Sequence, residues 1–171
     1  MTGNRKPLVV SLLLLGAAVL LQTTLLPYLA IRGVKPDLVL IILVFVAIRK
    51  GSMTGQLAGF ASGLAEDFLS LSPLGFHAFL RICVGYFYGL TAGNIFVDPI
   101  LMPLVLVMIA TLFKGLASAV LIAVFSLPAA GFAAFSGPFW IELGYNAVLA
   151  PFFFAGLSLF KALHPRDKDE L

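Results

Sequence analysis

The chain has 171 residues, of which 61% are hydrophobic and only 11% charged, and its formal net charge is +3. An ordinary soluble domain carries about 25% charged residues, so this composition excludes a water-soluble fold and leaves no segment for a globular catalytic domain. The Lys and Arg residues are scattered at the ends of apolar segments and not clustered, which argues against a nucleic-acid partner. The single cysteine, Cys83, excludes an intrachain disulfide.

Charged and Pro/Gly positions divide the chain into six apolar segments. A spanning helix needs about 20 apolar residues, and a lipid-exposed backbone must satisfy its own hydrogen bonds, which favours helices. We predict an all-α membrane protein with six transmembrane helices, forming one polytopic domain over residues 1–171 with short cytoplasmic ends at residues 1–6 and 164–171. The predicted segments are residues 7–30, 36–48, 51–71, 75–95, 99–125 and 139–163.

The first two segments each leave an alternative open. Arg5 and Lys6 before an apolar run resemble the start of a secretory signal, but the run has no clear small-residue cleavage site, so we expect a retained first helix. The second segment, residues 36–48, reaches only about 20 Å as a helix. It is expected to borrow from the preceding loop, to thin the bilayer or to be re-entrant.

Basic residues near the segment ends predict the orientation in the membrane. With a cytoplasmic amino terminus, three basic residues fall outside, namely Arg32, Lys35 and Arg81. Seven fall inside, which predicts a protein of the bacterial cytoplasmic (inner) membrane with both termini in the cytoplasm: Arg5, Lys6, Arg49, Lys50, Lys161, Arg166 and Lys168.

Glycines recur every four residues on the third and fourth segments. Small residues at this spacing let helix backbones approach closely in lipid. The two stripes predict a close-packed hairpin, although the spacing leaves open whether a stripe serves internal packing or docks a partner. The predicted helix-packing or partner-binding residues are Gly51, Gly55, Gly59, Gly63, Gly85, Gly89 and Gly93.

Three ionisable residues are predicted to share one layer inside the membrane: Asp67, Arg81 and Lys114. Counting about 1.5 Å per residue from the cytoplasmic ends places them at nearly equal depth. Pairing Gly63 with Gly85 also places Asp67 opposite Arg81, which predicts an ion pair. A buried charge in lipid needs a partner, so this layer is either a structural brace or a polar centre that binds something.

Catalytic and metal chemistry have little support in the residues. His77 near Ser72 and Asp67 supplies the residue types of a hydrolase triad, but no nucleophile elbow is present. The two histidines, His77 and His164, lie far apart, so a metal site is not expected. We predict that the protein is not an enzyme and takes no cofactor.

Pro36 and Asp37 stand at the start of the second segment, Asp67 follows a glycine stripe, and Pro73 and Gly75 lie in the turn after it. These residues belong to the run KPDLVLIILVFVAIRKGSMTGQLAGFASGLAEDFLSLSPLGFHAFLRICVGYFYGL. On these features, residues 35–90 resemble the MreD family of bacterial rod shape-determining membrane proteins.

The resemblance implies a non-enzymatic scaffold of the cell-elongation machinery, needed for rod shape and lateral peptidoglycan synthesis. It implies binding to MreC and association with the transglycosylase and transpeptidase of that machinery, with the actin-like MreB as a further partner. It also implies a fold similar to the substrate-binding subunits of energy-coupling-factor transporters. The alternative function is a membrane transport subunit that binds a small molecule or lipid in a pocket lined by Asp67, Arg81 and Lys114.

Overall fold

A computed structural model describes residues 6–70, 72–93, 100–126, 136–160 and 163. These residues form α-helices joined by short connections, with one short 3-10 helix at Leu26–Leu29. The all-α class predicted from the sequence is therefore confirmed. The predicted cytoplasmic ends lie almost wholly outside the described residues, as do Lys161 and most of the connection before the last helix. The helices are α1 Lys6–Thr24, α2 Leu38–Lys50, α3 Ser52–Leu69, α4 Phe76–Leu90, α5 Leu101–Phe125 and α6 Gly137–Ser158.

Local sequence signals set the ends of α2. The Asp37 side chain accepts a hydrogen bond from the backbone N–H of Leu40 at 2.9 Å, which caps the first turn. Gly51 ends the helix with φ of 85°, a conformation that favours glycine. The chain can therefore reverse at once into α3, and the connection between the two helices is a single residue.

The short helix α2 lies at the centre of the protein. Every residue from Leu38 to Ile48 is buried, and α2 packs against each of the other five helices. A helix that is hydrophobic all round is typical of a fully buried position. Its 13 residues make about 20 Å against a hydrocarbon thickness of about 30 Å, but neighbouring helices and not lipid surround it. The short segment is therefore enclosed by protein along its length.

Helices α3 and α4 form the closest-packed pair of the structure. A Cβ placed on Gly55 would lie 2.5 Å from the carbonyl oxygen of Gly85, and one on Gly59 would lie 2.5 Å from that of Arg81. The hairpin predicted from the glycine stripes is present, but the predicted register is wrong. Gly85 faces Gly55 and not Gly63, because hydrogen bonds from the backbone of Gly75 and His77 to Asp67 hold the start of α4 against the end of α3.

Among the described residues, three helices are long and apolar enough to cross a membrane: α1, α5 and α6. Large apolar side chains are exposed along them, including Leu13, Val120 and Phe152. A soluble monomer rarely exposes apolar faces of this size to water, whereas such faces are stable in contact with lipid. The fold is that of a membrane protein, with α2 inside it.

Candidate functional site

A layer of polar side chains crosses one end of the bundle, and all six helices contribute to it. Odd-numbered helices supply residues from their middle or carboxyl-terminal parts, and even-numbered helices from their amino-terminal parts. This pattern follows from neighbouring helices running in opposite directions. The polar layer consists of Gln22, Asp37, Glu66, Arg81, Thr111, Lys114, Glu142 and Asn146.

Asp37 is the centre of the polar layer. Its Oδ1 accepts a hydrogen bond from Arg81 Nη2 at 3.1 Å, and its Oδ2 accepts one from Lys114 Nζ at 2.8 Å. The side chain is only 5% exposed. One carboxylate thus neutralises two cations from different helices while it also caps its own helix, which is the arrangement a buried charge requires.

Two further carboxylates flank this centre. Glu66 accepts hydrogen bonds from Arg81 Nε, at 2.9 Å, and from Nη2, and Glu142 accepts one from Lys114. We call Asp37, Glu66, Arg81, Lys114 and Glu142 the ionic cluster. With every member ionised it holds three negative and two positive charges. The outer carboxylates are 14% and 20% exposed, so the cluster opens to its surroundings through Glu66 and Glu142.

Side-chain amides extend the hydrogen bonding around the ionic cluster, although Arg81 Nη1 is buried and has no hydrogen-bond partner among the described residues. The Asn146 Oδ1 accepts from the backbone N–H of Asp37 at 2.8 Å, and its Nδ2 donates to Thr111 Oγ1 at 3.1 Å. The Gln22 Nε2 donates to Glu66 at 3.2 Å. These bonds join α1, α5 and α6 to the centre, so the layer connects the whole bundle and is a rigid element of it.

Asp67 lies outside the ionic cluster and caps α4. Its carboxylate accepts from the backbone N–H groups of Gly75 and His77, both at 2.9 Å, and of Ala78 at 3.2 Å. A carboxylate at a helix amino terminus satisfies free N–H groups and suits the helix dipole. The predicted ion pair between Asp67 and Arg81 is therefore wrong. By holding the start of α4 against the end of α3, Asp67 also sets the hairpin register.

Only two of the three residues of the predicted charged layer therefore meet in the structure. Arg81 and Lys114 do meet, through Asp37, whereas Asp67 belongs to the connection between α3 and α4. His77 Nδ1 lies 2.8 Å from Asp67, which brings together two residue types of a hydrolase triad. That carboxylate already accepts three backbone N–H bonds, so a capping role accounts for it.

Five of the predicted glycines lie in the α3–α4 contact, and two do not. Backbone atoms of the opposite helix occupy the Cβ direction at Gly55, Gly59, Gly63, Gly85 and Gly89. Gly51 and Gly93 instead have positive φ of 85° and 78°, with no atom within 4 Å of a Cβ built there. These two glycines permit chain reversal and do not serve close packing.

The residues that carried the family resemblance build both polar features. Pro36 and Asp37 precede α2, and Asp37 is the hub of the ionic cluster. Pro73 accepts a hydrogen bond from Phe76 N at 3.1 Å, and Gly75 has φ of 92° and donates to Asp67. The resemblance therefore marked structural positions whose roles the sequence alone did not show.

Most of the ionic cluster was not predicted from the sequence. Arg81 and Lys114 were predicted to lie in one charged layer and Asp37 was predicted only as a family position, whereas Glu66 and Glu142 were not among the predicted site residues. A usable signal was present, since each predicted segment carries a polar residue near the same end. Within the described ranges, no group of three or more His, Cys, Asp or Glu side chains is placed to hold a metal ion.

Comparison with known proteins identifies the family. The family described as rod shape-determining protein MreD matches residues 4–160, nearly the whole chain. No curated protein and no solved structure matches the chain. Members of the family are structural membrane proteins that determine rod shape within the cell-elongation machinery. On the strength of that match, the chain belongs to the MreD family.

Proposed function

We propose that this chain is a non-enzymatic membrane scaffold that binds MreC and supports lateral peptidoglycan synthesis by the cell-elongation transglycosylase and transpeptidase. The observation that carries the proposal is the ionic cluster, in which Asp37 bridges Arg81 and Lys114. Charges that neutralise one another are suited to holding helices in place and not to reacting with a substrate. A scaffold needs such a fixed shape to present its surfaces.

We propose that all six helices cross the inner membrane, with the polar layer towards the outside and both termini in the cytoplasm. Alternating helix directions support this arrangement, because the start of α1 and the end of α6 then share one end of the bundle. Lys6, Arg49 and Lys50 lie at that end, as the preference for cytoplasmic basic residues favours. The predicted similarity to energy-coupling-factor subunits remains part of this proposal.

The surfaces left for partners are the outer faces of the helices and the outer end of the bundle. The glycines of α3 and α4 are already used by their mutual contact, which argues against a docking groove made from Gly59 or Gly89. Exposed apolar faces on α1, α5 and α6 are suited to receiving the single transmembrane helix of MreC. MreB would then associate from the cytoplasmic side.

Depletion of the protein in its host, combined with affinity purification, tests the proposal. We expect depleted cells to become round and tagged protein to recover MreC. Complementation with Asp37→Asn should fail to restore rods, whereas Ser72→Ala should restore them. Cells that stay rod-shaped on depletion, or tagged protein that recovers no MreC, would contradict the scaffold function.

A further inference from the structure

A small cavity lies at the end of the bundle opposite the polar layer. It has a volume of about 70 Å³ and is lined by Phe45 and Arg49 of α2, Ser158 of α6 and Leu163. A water molecule takes up about 30 Å³ in the liquid. The cavity therefore has room for a small polyatomic group but not for a cofactor.

Arg49 contributes an unsatisfied donor to this region. Its Nε is buried and has no hydrogen-bond partner among the described residues, and its guanidinium lies 5.4 Å from the centre of the Phe45 ring. A buried donor without an acceptor is costly, so its partner is usually a water or an ion. Guanidinium groups match the oxygen geometry of phosphates and carboxylates particularly well.

Basic residues accompany Arg49 at this end of the bundle. Lys6 and Lys50 are basic residues that share the cavity's end of the bundle. The inference rests on the proposed topology, which places this end at the cytoplasmic surface, where basic pockets between membrane helices are typical sites for anionic lipid headgroups.

The surroundings of the cavity favour a lipid over a free anion. Leu159 and Phe160 follow Ser158 directly and are both exposed. Apolar side chains beside a basic cavity can contact an acyl chain while the headgroup is held by the cation.

We propose that this cavity binds the phosphate of an anionic phospholipid, with Arg49 as the principal donor and the acyl chains lying along the end of α6. The site is separate from the polar layer and does not depend on binding of MreC. Lipid binding there would hold the carboxyl-terminal ends of α2 and α6 together.

Lipid titration of the purified full-length protein in detergent, followed by native mass spectrometry, tests the site. The probes are phosphatidylglycerol, phosphatidylcholine and inorganic phosphate. We expect Arg49→Gln and Arg49→Lys to bind phosphatidylglycerol at least about tenfold more weakly, since a hydrogen bond to a charged group is lost. Ser158→Leu should fill the cavity and weaken binding similarly. The matched control is Lys6→Gln, a basic residue at the same end, which should bind within about twofold of the unmodified protein.

Three other results of this titration would contradict the proposal. Equal binding of phosphatidylcholine would exclude an anionic headgroup, and equal occupancy by inorganic phosphate would exclude a lipid. Unchanged binding by Arg49→Lys would show that general positive charge, and not this donor, attracts lipid. If Ser158→Leu does not yield monodisperse protein, the result for Arg49→Lys decides the question.

Discussion

The Oδ2 of Asp37 lies 2.8 Å from the Nζ of Lys114, although the two residues are 77 positions apart in the chain. The contact joins the first turn of the central helix to the middle of α5. Arg81 binds the other oxygen of the same carboxylate. Removing the Asp37 carboxylate therefore affects two cations and three helices at once. Removing the carboxylate of Glu66 or Glu142 affects only one ion pair.

Replacing Asp37 with Asn should strongly destabilise the protein. Two buried cations would lose their shared counter-charge, and breaking a buried pair typically costs about 3–5 kcal/mol. Glu142→Gln is the matched control, because Glu142 is partly exposed and Lys114 keeps Asp37; its cost should be about 1 kcal/mol or less. Thermal unfolding in detergent measures the stability of both variants. An equal loss of stability in the two would contradict a central role for Asp37.

Alanine at Gly85 and at Gly144 should change stability in opposite directions. A Cβ at Gly85 would overlap the backbone of Gly55, so the α3–α4 contact must open. Gly144 has no atom within 4 Å of such a Cβ, and alanine there should gain up to about 1 kcal/mol from helix propensity. Unfolding temperatures of the two variants provide the measurement. An unchanged value for Gly85→Ala would show that the helices are not in close contact.

Replacing Asp67 with Ala should cost about 1–2 kcal/mol through loss of the cap on α4. Asp67→Ser retains a capping oxygen and should recover part of that loss. Hydrogen exchange of the amides of Gly75, His77 and Ala78 should rise in the alanine variant, since these are the groups that Asp67 accepts from. Unaltered exchange at all three would contradict the capping role.

The proposed topology places Tyr28 and Met53 on opposite sides of the membrane. These residues are 87% and 69% exposed; Tyr28 lies just after the carboxyl end of α1, and Met53 lies in the first turn of α3. In a Cys83→Ser background, Tyr28→Cys should react with a membrane-impermeant maleimide in spheroplasts, and Met53→Cys only after permeabilisation. Labelling of both from one side would contradict alternate crossing by the helices.

The sequence predicted the positions and the apolar character of the helices far better than the contacts between them. Apolar segments, proline positions and glycine spacing indicated the helical hairpin of α3 and α4, because these are local patterns. The register was wrong by eight residues, since repeating glycines match equally well when one helix slides by two turns. What selects the register is the bond from Asp67 to the start of α4.

Composition and periodicity by themselves determined that this chain belongs in a membrane, that its helices pack through glycine, and that its few buried charges must be neutralised. Which charges meet was decided by the tertiary structure alone. Asp37, Glu66, Arg81, Lys114 and Glu142 come from five helices. Their pairing depends on how those helices are arranged around α2, a property of the packed bundle that no single segment encodes.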